Sequence, residues 1–223
     1  TNPNALRAYQ NWNYDPLPLP EGLITDVVET GGDDEETDTI VAQWTGQTFV
    51  NGNANEPIDG SAADDPYTVG YFMNMAPAFV DRNHAYSDDA GNNLPVPAYL
   101  VGGEYIMSGN DNRDNDPYIL DVTVSQEVDV FMLIDNRTNK DDGDNKGPPN
   151  IGPGTGAMEW IDATWEPVIS AGNRRHDSSQ PDEVPIDEGA DGDIEQYYSV
   201  YKKGFPAGTF QLLQANNSGR NMY

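Results

Sequence analysis

The chain has 223 residues, no cysteine, and 38 acidic against 11 basic side chains, for a formal charge of −27. That balance argues strongly against nucleic acid and against anionic lipid, whose phosphates would be repelled. It suits divalent cations, neutral glycans or a saline milieu that screens the repulsion, and the absence of cysteine excludes disulfides and thiolate metal sites.

Residues 1–66 read as an extended N-terminal segment with a few strands, and residues 67–223 as a β-sandwich domain. The prolines of Asp15-Pro16-Leu17-Pro18-Leu19-Pro20 hold the start extended, since each disfavours helix in the residue before it. Leu23 to Val28 and Thr39 to Trp44 read as strands around the acidic stretch Thr30 to Asp38, and either complete the sandwich or form an appendage. Further strands are expected near Thr68–Met73, Ala78–Arg82, Ala98–Val101 and Tyr105–Met107.

The strongest pair follows: Tyr118–Val124 and Val128–Ile134, rich in β-branched and aromatic residues and joined by Ser125-Gln126-Glu127. Three polar residues suit a hairpin or a tight sheet-to-sheet turn. The first run alternates, with Ile119 and Val124 set against Asp121 and Thr123, as a half-buried strand does. The second ends as a continuous apolar run, the pattern of a strand in the middle of a sandwich. Beyond a break at 136–156, a strand is expected around Trp165 and Val168, then a charged loop from Gly172 to Asp193. Gln196–Tyr201 and Thr209–Leu213 close the order, with Pro206 and Gly208 supplying turn geometry. The expected class is an all-β antiparallel sandwich with long acidic loops, and its function should sit on the loops.

One block of the chain resembles a known family. Phe79-Val80-Asp81-Arg82, Leu94–Leu100 and Gly102-Gly103-Glu104-Tyr105-Ile106 lead into Val128–Arg137 and Trp160. Tyr198–Phe210, with its Phe205-Pro206-Ala207-Gly208-Thr209 turn, and Asn221-Met222-Tyr223 follow. This order is similar to the non-catalytic jelly-roll, galactose-binding-like domains of secreted bacterial polysaccharide-degrading enzymes and surface proteins. The resemblance runs over residues 69–223; the acidic loop between Arg137 and Trp160 departs from it, and residues 1–66 lie outside it. It implies an extracellular or cell-surface module whose partner is a polysaccharide or cell-surface glycan. No charged-then-apolar segment opens the chain, so Thr1 is read as a mature start, and no apolar run reaches the roughly 18 residues that span a bilayer.

Candidate contacts come from residue chemistry. Asp135 and Arg137, at a strand end, suit either a structural ion pair or glycan hydroxyls. The four tryptophans and twelve tyrosines offer flat faces for a pyranose, Trp12 in the most polar setting and Trp160 and Trp165 among apolar neighbours. Calcium needs six to eight oxygens at about 2.3–2.6 Å. Asn112, Asp114 and Asp116 alternate so as to project three donors from one side of an extended loop, and Asp141 and Asp144 lie in a second acidic loop. Neither follows the EF-hand pattern. His84 and His176 are isolated, and no nucleophile or phosphate-loop motif occurs, so no catalytic residue is assigned. The alternative to a calcium-supported glycan binder is a self-assembling subunit of a surface layer or filament, a homo-oligomer in which residues 1–66 add a strand to a neighbour.

Overall fold

The computed structural model describes residues 22–31, 40–41, 72–79, 84–107, 110, 118–140, 144–170, 172–188 and 192–213. All regular structure among them is β, and every pairing is antiparallel. The first sheet runs β1 (Ile24–Thr30), β6 (Ile119–Val124), β11 (Gly208–Leu213). A second runs β3 (Ala76–Pro77), β4 (Ala85–Tyr86), β9 (Glu183–Asp187), β10 (Gln196–Phe205), β7 (Val128–Asp135), with β8 (Glu166–Pro167) beside β10. A third, small pairing joins β2 (Ile40–Val41) to β5 (Ile106–Met107).

The two larger sheets bury one core between them. Leu120, Val122, Val124 and Leu212 from the first meet Met132, Ile134, Val184, Ile186, Tyr198 and Val200 from the second. In β6 burial alternates strictly, as a period of two demands. Ile119 therefore shares the outer face with Asp121 and Thr123 rather than the inner face with Val124. That outer face carries polar cross-strand pairs, Thr123 Oγ1 to Thr209 Oγ1 at 2.9 Å and Gln211 Nε2 donating to Asp121 Oδ1 at 2.9 Å.

The break at Ser125-Gln126-Glu127 is not a hairpin: β6 and β7 lie in different sheets. The chain makes the same crossing from β10 to β11. Gly208 lies opposite Val124 and Phe205 opposite Val128, so the two crossings sit side by side at one corner. Gly208 has φ +124°, a conformation that side chains oppose. Phe205 and Phe210 then stack across the crossing at 4.1 Å, and Trp165 meets Phe205 edge-on at 5.9 Å.

Two further expectations need correction. Among the described residues β7 stands at the end of its sheet, not in its middle, and only its second half, Met132–Asp135, is fully buried. Residues 98–101 form a turn rather than a strand, because Gly102 at φ +89° reverses the chain. Of residues 1–66, Ile24–Thr30 completes the first sheet along β6, and Ile40–Val41 pairs with Ile106–Met107.

Candidate functional site

The reversal at 94–105 presents an aromatic ring at the surface. Leu94, Val96 and Leu100 are buried and anchor it. Phe72 N–H donates to the Gly103 carbonyl at 2.7 Å and Gly102 N–H returns a bond to the Phe72 carbonyl at 2.8 Å. Between these anchors Tyr99 faces outward, 38% exposed. Its ring lies against Phe131 at 5.5 Å, and its hydroxyl donates to Asp182 Oδ2 at 3.0 Å. Asp182 is wholly buried and also accepts from Ser170 N–H at 2.8 Å and Ser170 Oγ at 2.7 Å. Burial first, then the Asp182 charge and hydrogen bond, push the phenol far above its ordinary range. Tyr99 is thus a neutral ring held from behind and at its tip.

Beside Tyr99 opens a cleft of about 220 Å³. Its deep wall is the inner face of β6 and β11 (Leu120, Val122, Phe210), its opposite wall β7 from Val128 through Val130 to Met132. Phe72, Tyr86 and Tyr105 close one side as an aromatic cluster with centroids 4.7–6.5 Å apart. The exposed Leu23, Tyr99, Gly103 and Asp129 also line it, so it reaches solvent. At the mouth, Glu104 Oε1 and Oε2 accept the Leu23 and Ile24 N–H groups, each at 2.8 Å, which ties the start of β1 to the reversal.

The opposite end of the sandwich holds a buried ionic network. Glu183 accepts Asn136 Nδ2 at 2.8 Å, Arg175 N–H at 3.0 Å, Arg175 Nε at 3.1 Å and Arg175 Nη2 at 3.0 Å. Arg174 lies 3.6 Å from the same carboxylate and donates to the Pro181 and Lys146 carbonyls. Ser199 Oγ donates to Asn136 Oδ1 at 2.5 Å. The Arg175 guanidinium covers the Tyr197 ring, whose hydroxyl donates to Asp89 Oδ2 at 2.6 Å.

Of the expected contact pair, Asp135 belongs to this interior, while the Arg137 side chain is 21% exposed. Asp135 is fully buried, and its oxygens accept Arg137 N–H at 2.7 Å, Nε at 3.1 Å and Nη2 at 2.7 Å. Burial works against the guanidinium charge, but the Asp135 bonds and charge more than offset it and raise the Arg137 pKa. The neighbouring Asn136 is fully buried and donates to Glu183. Trp12, Asn112, Asp114, Asp116 and Asp141 lie outside the described residues.

Asp144 is described, and a cation already sits at its loop. The Lys140 ammonium donates to the Asp144 carbonyl at 3.0 Å and the Gly147 carbonyl at 2.7 Å, while the Asp144 carboxylate accepts Lys146 N–H at 2.9 Å. The ammonium thus holds two carbonyls of that loop, and a calcium ion there would share them with it. No group of three or more His, Asp or Glu side chains converges among the described residues.

Sequence reading found Tyr99 only as one of twelve tyrosines, and it missed the network. A signal for the latter existed: Arg174-Arg175 places two of eleven cations side by side in an acidic stretch. No family model, no curated protein and no solved structure matches the chain.

Proposed function

We propose that the chain is an extracellular, non-catalytic carbohydrate-binding module of the jelly-roll kind, taking a neutral polysaccharide or cell-surface glycan. The observation that carries this reading is the exposed Tyr99 ring, fixed by Phe131 and Asp182. A held aromatic face stacks on the C–H side of a pyranose without an ordering cost, and the charge of −27 disfavours an anionic glycan. Affinity electrophoresis in gels of neutral polysaccharides tests it. Tyr99→Ala should abolish the retardation that Tyr99→Phe preserves, and equal retardation of both would overturn the reading.

Calcium support is proposed for the Asn112, Asp114, Asp116 loop, with Asp141 as a weaker candidate. Saturation at 100 times the dissociation constant stabilises a fold by about 2.7 kcal/mol. Melting should rise with millimolar calcium beyond sodium chloride at matched ionic strength, and equal shifts would reduce the effect to screening. Self-assembly through residues 1–66 ranks second, because Ile24–Thr30 and Ile40–Val41 pair within their own chain. A single monomeric species by light scattering at high concentration would remove it.

A further inference from the structure

We propose that the cleft behind Tyr99 receives a short neutral alkyl or acyl chain carried by the sugar that stacks on the ring; this rests on the carbohydrate-binding reading above. The cleft, about 220 Å³, is larger than the apolar cavity of about 150 Å³ known to take benzene. Its depth is aliphatic and aromatic, from Leu120, Val122, Val130, Met132 and Phe210. The two acids at the mouth already have partners. Both Glu104 oxygens accept backbone N–H groups, and Asp129 Oδ2 accepts from Lys202 Nζ at 3.3 Å.

Those engagements decide the chemistry of the occupant. No described group at the mouth calls for a charged head, and a free fatty carboxylate would enter between Glu104 and Asp129 on a chain of net charge −27. A neutral chain meets no such penalty. Tyr99 lines the same cleft whose outer rim its ring forms, so a sugar on the ring directs a substituent inward. The expected ligand class is therefore an acylated or alkylated glycan, with the sugar outside and the chain between the sheets.

Calorimetric titration with methyl, hexyl and octyl β-glucoside, all below their micellar concentrations, tests the proposal on the full chain. Affinity should rise roughly fourfold per methylene while the chain is being buried. Val130→Trp, on half-buried β7, should flatten that series, and thermal melting checks that the variant folds. Val122→Phe serves the same purpose from the opposite wall. A flat series in the parent chain overturns the proposal, as does an undiminished series in both folded variants, which would mean unspecific partitioning. Hexanol and octanol separate the two readings. Alcohols that bind with the same increment while methyl glucoside and Tyr99 contribute nothing uphold the cleft and refute the sugar platform. Binding of methyl glucoside with no gain from longer chains does the reverse.

Discussion

One pair of strands passes through two different interiors. At the corner, Val128–Phe131 of β7 and Tyr201–Phe205 of β10 are half-buried or exposed beside the aliphatic cleft and the Phe205–Phe210 stack. At the other end, Met132–Asp135 and Gln196–Val200 are buried, and there Glu183 pairs with Arg174 and Arg175 and accepts from Asn136, which in turn accepts from Ser199. The apolar end is held by contacts without direction, so it tolerates a volume change and leaves room between the sheets. The ionic end is held by directional bonds. A one-residue slip of β10 against β9 would turn the Ser199–Glu183 pair inside out, so the network fixes register as well as adding stability.

That contrast is sharpest at Glu183. Glu183→Ala leaves Arg174 and Arg175 buried without their counter-charge and should cost about 3–5 kcal/mol. Urea unfolding measures it, and a loss below 1 kcal/mol would show that the two ends do not differ in kind.

Asp89 gives a smaller, pH-dependent version of the same test. Burial raises its pKa, but hydrogen bonds from Tyr197 and Asn92 outweigh that and hold it below the ordinary value. A carboxyl depressed in the folded state stabilises above its unfolded pKa of about 3.9 and loses that contribution as pH falls through the lower folded value. Tyr197→Phe keeps the ring beneath Arg175 and removes the bond to Asp89. It should cost about 1.5–3 kcal/mol at neutral pH, and the deficit should shrink towards the acid end of a pH series of urea melts. A deficit constant across pH 2 to 7 would assign the effect to packing instead.

The acidic loop after β7 comes next. Lys140→Met leaves the Asp144 and Gly147 carbonyls without their ammonium and should cost about 1–3 kcal/mol. The variant should then gain more from millimolar calcium than the parent in thermal melts; an identical gain would mean that the ammonium and the metal do not compete. The smallest change is expected on the outer face at the apolar end. Thr209→Ala breaks the cross-strand hydroxyl pair with Thr123 and should cost about 0.2–1 kcal/mol. A larger loss would mean that polar pairing supports that end too.

Much of the fold is legible in the sequence where local chemistry decides it. The β-branched runs of β6 and β7 declare themselves, and Pro206 with Gly208 marks the turn before β11. The sheet crossing is not legible, because Ser125-Gln126-Glu127 permits either a hairpin or a crossing, and the partners that decide are β1 and β11 far along the chain. Strand β9 escapes notice for another reason. Glu183-Val184-Pro185-Ile186-Asp187 reads as charged loop, yet all five residues are buried, with Glu183 paired to Arg175, Asp187 accepting from Gly192 N–H and the Pro185 carbonyl accepting from Ser87 N–H. Asp135 and Arg137 were legible as a pair of chemistries, but the full burial of Asp135 was not, since it comes from neighbours that sequence proximity does not reveal. Tyr99 shows the same limit, its exposure set by the Gly102 reversal and its fixation by Asp182.

The pairing of β1 with β6 also has a consequence in time. Thr25 reaches the Thr123 carbonyl across 98 residues of sequence. At a synthesis rate of about 5–20 residues per second, β1 leaves the ribosome roughly 5–20 s before its partner exists. Throughout that interval Ile24, Val27 and Val28 form a strand in waiting, open to pairing with other nascent chains. The same strand carries Asp26 and Glu29, and Asp33-Asp34-Glu35-Glu36 follows directly. Mutual repulsion between such segments keeps two nascent copies apart. Part of the chain's acidity thus lies on and directly after the segment that must wait for its neighbour.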